Sequence, residues 1–351
     1  MQKIRDGGTD GGDSVGIIGL SANGGWGAMS HYPALRALPE YFTLNGLAAG
    51  SPASAAAAAA KYGVPYHTAS AAALAARDDI DLLVVAVNLP QHRALLESII
   101  PSGKAIYCEW PLGTDPAQSQ ALTDLADHYH CRTFIGLQAT HSPYDRRLKA
   151  ILDDAASGTM RSCTILGGDP SRARQTVSRY RYAQAQENGV NTLTIPFAHL
   201  LAALRYLFGE LTHMAALTRC VFPQVYLADT GETIPRTATD NVLFSGQTAD
   251  GGLINAIYSG ALSGLRMDIE CDNCRISATG NSGHIQYEPL TITVTRGGRT
   301  DTFNPTTAAT DNLIDTYRAV HADLSTGSHS VPDFAAAVAH QRLLWQLAGT
   351  E

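Results

Sequence analysis

The sequence predicts an α/β protein made of two unlike halves. The first is a doubly wound parallel sheet. The second is an α+β domain built on a large, open, mostly antiparallel sheet. Three observations predict this. An apolar strand around Val15-Gly-Ile-Ile-Gly19 runs into a glycine-rich turn that ends at Gly27. Strand and helix patterns then alternate as far as Leu137. Past Pro143 the alternation stops and strand-like runs follow one another. Alternation implies parallel strands joined by right-handed crossovers, whereas successive strands imply antiparallel pairing. At 351 residues the chain exceeds one ordinary core, so two domains are expected. The expected boundaries are 15–140 for the first domain, 141–330 for the second and 331–351 for a C-terminal helix that packs back on the core. Residues 1–14 are polar and glycine-rich and read as a disordered leader.

Each element has a local reason. The run Leu20-Ser-Ala-Asn-Gly-Gly-Trp-Gly27 lets the backbone turn sharply, and a helix from about Met29 to Leu38 follows. The N–H groups at the start of such a helix point back at the turn, the geometry that holds a dinucleotide pyrophosphate in a Rossmann domain. Thr43–Ala48 reads as the second strand. Ser51-Pro52 supplies an N-cap with proline in the first turn, and Ala53–Ala60 continues that helix. Asp81–Val87 is apolar throughout its centre, as in a strand covered on both faces. Helix Gln91–Ile100, strand Ala105–Cys108, helix Pro116–Tyr129 and strand Thr133–Leu137 complete the first half. The second half opens with helix Tyr144–Ala156 and strand Ser162–Leu166. A polar, tyrosine-bearing loop from Gly167 to Gly189 leads to helix Pro196–Phe208, closed by Gly209. Strands are expected at His213–Val221, Asn241–Thr248, Leu253–Ser259, Met267–Ser277, His284–Tyr287 and Thr291–Arg296, and a last helix at Asp333–Ala348.

Composition excludes several functions. There are 25 basic and 32 acidic residues, a net charge of −7 and no basic run, which argues against nucleic acid as a partner. No stretch is long and apolar enough to span a bilayer, and the start lacks the apolar segment of a secretory signal, so no membrane partner and a cytoplasmic location are expected. Six cysteines are scattered, and Cys271-x-x-Cys274 has no second pair to complete a zinc site. Buried thiols and no metal are the expectation.

Several segments occur in an order that resembles the Gfo/Idh/MocA oxidoreductase family. They are the glycine turn, Val87-Asn-Leu-Pro-Gln-His92, Cys108-Glu-Trp-Pro-Leu-Gly113, Gly136-Leu-Gln138 with Ser142-Pro-Tyr144, Asn188 to His199, and Pro332-Asp-Phe334. Gly19-Leu-Ser21, Gly24-Gly-Trp26, Ser30-His-Tyr-Pro-Ala34, Glu109-Trp110 and Asn188-Gly189 look like its Gal80-like branch. That branch holds a redox-silent, dinucleotide-binding transcriptional co-regulator as well as presumed dehydrogenases. The resemblance implies a cofactor site of Gly19, Ser21, Gly24, Gly25, Trp26, Ser51, Asn88, His92, Glu109 and Trp110, with His31 on the same side. It also implies a homodimer or homotetramer formed through the second-domain sheet.

Hydride transfer needs a bound nicotinamide, a substrate carbon beside it and a group that moves a proton. The resemblance implies a Glu-Lys-Pro motif for part of this, but Trp110 stands at the lysine position. It further implies an aspartate four residues before a histidine, and here Ile195 precedes His199. His199 is therefore the expected acid/base, with Tyr180 and Tyr182 as catalytic helpers. Asn188, Asn191, Thr194 and Gln138 are the expected substrate contacts, since neutral hydrogen-bonding groups suit a hydroxyl or carbonyl compound. The end of the second strand, Ala48-Ala-Gly-Ser51, carries no carboxylate to bind a free ribose hydroxyl. That tilts the expected cofactor from NAD to NADP.

The expectation is an NAD(P)-dependent oxidoreductase acting on a sugar or other small carbonyl or hydroxyl substrate. Two alternatives stand beside it. One is a dinucleotide-binding protein without redox turnover, either a sensor or a lyase, isomerase or cyclase in the inherited pocket. The other is an oligomerisation module.

Overall fold

A computed structural model describes residues 12–304 and 311–349. The first sheet is built from β1 (Asp13–Ile18), β2 (Phe42–Ala48), β3 (Tyr66–Thr68), β4 (Leu82–Val85), β5 (Ala105–Glu109) and β6 (Thr133–Gly136). All pairs are parallel and the order is β3-β2-β1-β4-β5-β6. The reversal between β1 and β4 opens a crevice at the carboxyl edge, the place where such sheets bind ligands. Helices α1 (Tyr32–Arg36), α2 (Pro52–Tyr62), α3 (Ala71–Ala75), α4 (His92–Ile99) and α5 (Pro116–His128) connect the strands.

The expected leader lies outside the described residues up to position 11. Its last two residues open β1 instead, because both have partners. Ser14 N–H donates to Asp81 Oδ2 at 2.9 Å, and Asp13 Oδ2 lies 2.9 Å from His321 Nδ1.

The second half begins with α6 (Pro143–Asp153), β7 (Met160–Gly168) and the two-residue β8 (Gln175–Thr176). α7 (Ala198–Phe208) follows, then β9 (Thr212–Arg219), β10 (Gln224–Leu227), β11 (Glu232–Pro235), β12 (Asn241–Gln247) and β13 (Leu253–Ser259). β14 (Leu265–Cys271), β15 (Arg275–Gly280), β16 (Thr291–Arg296) and β17 (Arg299–Phe303) complete the strands. Eight of them form one sheet in the order β17-β16-β15-β14-β7-β13-β12-β9. Only its β7–β13 pair is parallel. The inner face packs on α7, where Phe197 just before the helix meets Phe244 with ring centroids 5.2 Å apart.

Two expectations change here. The run Met267–Ser277 is not one strand but β14 and β15 joined through Asp272-Asn273. Asp272 fixes that turn by accepting from Thr159 N–H at 2.9 Å and from Arg161 Nε at 2.6 Å. Cys271 and Cys274 therefore flank a hairpin turn. Their thiols are free, and burial pushes Cys271 up to about 12. The segment His284–Tyr287 is a turn, closed by Tyr287 N–H on His284 O at 3.2 Å.

Helix α8 (Asp311–Thr326) has no counterpart in the sequence reading. It leaves the second sheet and packs on the first. Leu313, Tyr317 and Val320 share a core with Val15, Ile17, Leu47 and Val84. Helix α9 (Phe334–Ala348) then buries Phe334, Ala337 and Leu344 in the larger core, which also takes residues from both sheets. No helix among the described residues is long and apolar enough to cross a membrane.

Candidate functional site

The glycine turn is shaped by contacts on both sides. Gly19 has φ +103°, and a Cβ there would lie 2.5 Å from Ala86 O. Only glycine lets β1 and the loop after β4 approach this closely. Gly24 and Gly25 have φ +95° and +101°, and a Cβ on either would meet open space. The Cβ side of both residues is therefore open to a ligand. Ser21 supports the turn from within: its Oγ accepts from Asn23 N–H at 3.1 Å and its carbonyl from Gly24 N–H at 3.2 Å. α2 holds the turn from outside. Tyr62 Oη donates to Ser21 O at 2.9 Å, and Lys61 Nζ donates to Ala22 O at 2.6 Å. Trp26 closes the turn, with its indole Nε1 buried and unpartnered among the described residues. An open glycine cradle and an orphaned donor at its end fit a dinucleotide with an anionic centre.

The other expected cofactor residues divide. Asn88 is exposed beyond the carboxyl end of β4. Ser51 caps α2, accepting from Ser54 N–H at 3.1 Å. His92 turns inward: Nε2 lies 3.1 Å from Val87 O and Nδ1 3.3 Å from Leu112 O. The ring is buried, burial lowers its pKa, and both nitrogens are engaged by main chain. Trp110 is also a fastener. Its Nε1 donates to Thr194 O at 2.7 Å, and its ring stands edge-on to His340 at 5.1 Å. At the position of the family's lysine, an indole joins the two halves of the chain.

Glu109 ends β5 beside the crevice. Its Oε1 takes Gln138 Nε2 at 2.7 Å and lies 3.0 Å from His31 Nε2. His31 is fully buried, and its Nδ1 lies 2.7 Å from Tyr317 Oη of α8. Gln138, expected at the substrate, is instead fully buried behind this carboxylate.

On the facing domain, His199 is the second residue of α7 and is 3% exposed. Its Nδ1 has no partner among the described residues. Burial, and then the nearby His284 and His340, push its pKa well below the usual histidine value, so the ring is neutral. His340 Nε2 donates to Ala198 O at 2.9 Å.

Tyr180 and Tyr182 lie half-buried in the helical turns Ser178–Gln184. Asn188 donates to Tyr182 O at 2.5 Å. Asn191 and Thr194 are consumed locally. Asn191 Oδ1 accepts from Leu193 N–H at 2.9 Å and Thr194 N–H at 3.0 Å, while Thr194 Oγ1 donates to Gly189 O at 2.7 Å. These two side chains start the helical turn before α7 and leave little for a ligand.

A second histidine enters from the turn after β15. His284 Nε2 lies 3.5 Å from Asp169 Oδ2, at the end of β7. Burial alone would raise the Asp169 carboxyl, but His284, Arg172 and Ser171 overcome it and hold the group well below its ordinary range. His284 stacks on Tyr287 at 5.3 Å, and Tyr287 meets Trp26 at 5.4 Å. This row of rings sets the second domain's polar cluster against the glycine turn. Asp169, His284 and Tyr287 were missed because they lie in a loop and a turn, with no periodicity to mark them. Among the described residues no group of His, Cys, Asp and Glu is placed to hold a metal.

Known proteins share this architecture. Residues 14–137 match the oxidoreductase family with an NAD-binding Rossmann fold, and residues 143–289 match the Gal80p C-terminal domain. The chain pairs a Gfo/Idh/MocA Rossmann domain with a Gal80-like second domain. It is 32% identical over 223 residues to the dehydrogenase aclE of Aspergillus oryzae, a match covering 62% of this chain and 60% of that one. The chain thus spans less than two thirds of that relative's length. It is 25% identical over 302 residues to the galactose/lactose metabolism regulatory protein GAL80 of Saccharomyces cerevisiae, covering 79% and 69% of the two chains. A solved super-repressor mutant of that regulator superposes with TM-score 0.87 at 20% identity, covering 97% and 96%. Levoglucosan dehydrogenase in complex with NADH and L-sorbose superposes with TM-score 0.80 at 17% identity, covering 97% and 96%. These two likenesses concern the fold.

Proposed function

We propose that this protein is an NAD(P)-dependent oxidoreductase acting on a sugar or other small carbonyl or hydroxyl compound. The observation that carries the reading is the row Trp26–Tyr287–His284, which sets His284, an electrostatic neighbour of His199, against the glycine turn of the first domain. The glycine turn at the carboxyl edge of the first sheet, with Trp26 at its end, would hold the dinucleotide. When bound, the dinucleotide would supply hydride chemistry. This chain's residues handle the rest. His199, held neutral by burial, faces the substrate oxygen and takes or returns the hydroxyl proton. Tyr180 and Tyr182 line the approach. NADP is the preferred form, since the end of β2 offers no carboxylate to repel a ribose phosphate.

We further propose that a second copy covers the outer face of the eight-stranded sheet. Leu217, Leu243, Ile257 and Leu166 stand directly opposite one another across β9, β12, β13 and β7. They are 52%, 49%, 43% and 43% exposed, a continuous apolar row on a solvent face.

One observation favours a second reading, a dinucleotide-binding sensor without turnover. Trp110 fills the lysine position with its only donor engaged, and His199 has lost the aspartate partner. The test is direct. Binding of NADPH and NADH is followed by fluorescence, and oxidation is sought with a panel of aldoses, aldehydes and ketones. Turnover that His199→Ala abolishes supports the oxidoreductase. Tight binding with no turnover on any substrate supports the sensor.

A further inference from the structure

The strand order fixes where each half of a dinucleotide lies. The adenosine ribose is read at the end of β2, on one side of β1. The ends of β4 and β5, on the other side of β1, would therefore face the nicotinamide half. Glu109 is the last residue of β5 and keeps 12% of its side chain exposed. Oε1 is held from behind by His31 at 3.0 Å and Gln138 at 2.7 Å, whereas Oε2 takes part in neither contact. His31 is itself fixed by Tyr317 at 2.7 Å, and Tyr317 is fully buried in α8. A single carboxylate at the crevice end of β5 is thus held on one oxygen by His31 and Gln138, with Tyr317 behind His31.

We propose that Glu109 selects the redox state of the bound dinucleotide, favouring the oxidised form. The oxidised nicotinamide ring carries a positive charge and the reduced ring carries none. A fixed carboxylate beside it attracts the first and is indifferent to the second. The cationic neighbour the family would place next in sequence is absent, because Trp110 occupies its position, so no lysine there offsets the carboxylate. His31, Gln138 and Tyr317 are positioning residues. The inference rests on the dinucleotide-binding half of the reading above and holds for an enzyme or a sensor alike.

Binding of NAD(P)+, NAD(P)H and the nicotinamide-free fragment ADP-ribose, with and without its 2′-phosphate, is measured by calorimetry at pH 8. The wild-type chain is compared with Glu109→Gln, which keeps the shape and loses the charge. Glu109→Gln is expected to weaken the oxidised form about tenfold, while the reduced form and ADP-ribose stay within about twofold. That change corresponds to a shift of about 30 mV in the midpoint of the bound couple. Equal weakening of both redox forms, or no change in either, overturns the inference and leaves dinucleotide binding standing. Loss of ADP-ribose as well marks Glu109 as scaffold and also overturns it. A wild-type protein that binds none of these ligands overturns the dinucleotide reading and the inference with it.

Discussion

The indole of Trp110 carries a prediction that separates scaffold from chemistry. It is 6% exposed and ties the end of β5 to the turn before α7 through one bond of 2.7 Å to Thr194 O. Trp110→Phe keeps a ring and removes the donor. The Thr194 carbonyl is left buried without its partner, which costs about 1–3 kcal/mol. The smaller ring opens a void on the order of 40 Å3, worth about 1 kcal/mol at the usual cost per volume. The expected loss is therefore about 2–4 kcal/mol, read as a lower urea midpoint with an unchanged slope. Trp110→Lys, which restores the family's residue, must also bury an ammonium against His340 and should lose more. It should not raise turnover above that of the wild-type chain. A Trp110→Phe protein within about 0.5 kcal/mol of wild type would refute the fastener argument. A stable Trp110→Lys protein with new dehydrogenase activity would refute it more severely.

Three other expectations follow from the same geometry. His340 is pushed down to about 4 by burial, so it stabilises the fold fully above the ordinary histidine value near 6.5. That stability is lost as pH falls from there through 4, about 3 kcal/mol in all, and His340→Gln should flatten this limb of a melting-versus-pH curve. Burial, opposed only by Ser142, pushes the Asp145 carboxyl well above its ordinary range, and neither oxygen has a hydrogen-bond partner among the described residues. Its stabilising effect is full at acid pH and lost as pH rises, so Asp145→Asn should gain stability relative to wild type at pH 8 but not at pH 4; an equal difference at both would contradict this. Gly25→Ala should add strain of about 1–3 kcal/mol and weaken dinucleotide binding, whereas Gly19→Ala should destabilise the fold more, because its Cβ would meet Ala86 O at 2.5 Å. For the outer face, Leu243→Glu should yield a monomer by light scattering with an unchanged melting temperature; an unaltered oligomer would place the interface elsewhere.

Much of the first domain was legible because its strands are buried on both faces and its helices carry plain caps. Leu82–Val85 is fully buried, as its apolar run requires. Ser51, Ser70 and Asp115 each accept a backbone N–H at a helix start. The site was less legible. Asn191 and Thr194 read as ligand groups because a hydroxyl or amide looks the same whether it faces a substrate or its own backbone. His92 read as a cofactor contact for the same reason. Lys61 stands ten positions beyond Ser51 and reaches the turn at Ala22 O.

The sequence alone determined the glycine turn, the alternation that makes a parallel sheet and the missing lysine and aspartate. The first two follow from backbone sterics and from apolar period, which act between near neighbours; the missing lysine and aspartate are read against the resembled family. Only the tertiary structure decided which polar groups meet. His31 and Tyr317 are 286 positions apart and share one hydrogen bond, because α8 returns to the first sheet. Glu109 Oε1 meets a histidine that this bond holds in place. Contacts between distant segments depend on how elements pack, and no local pattern encodes that.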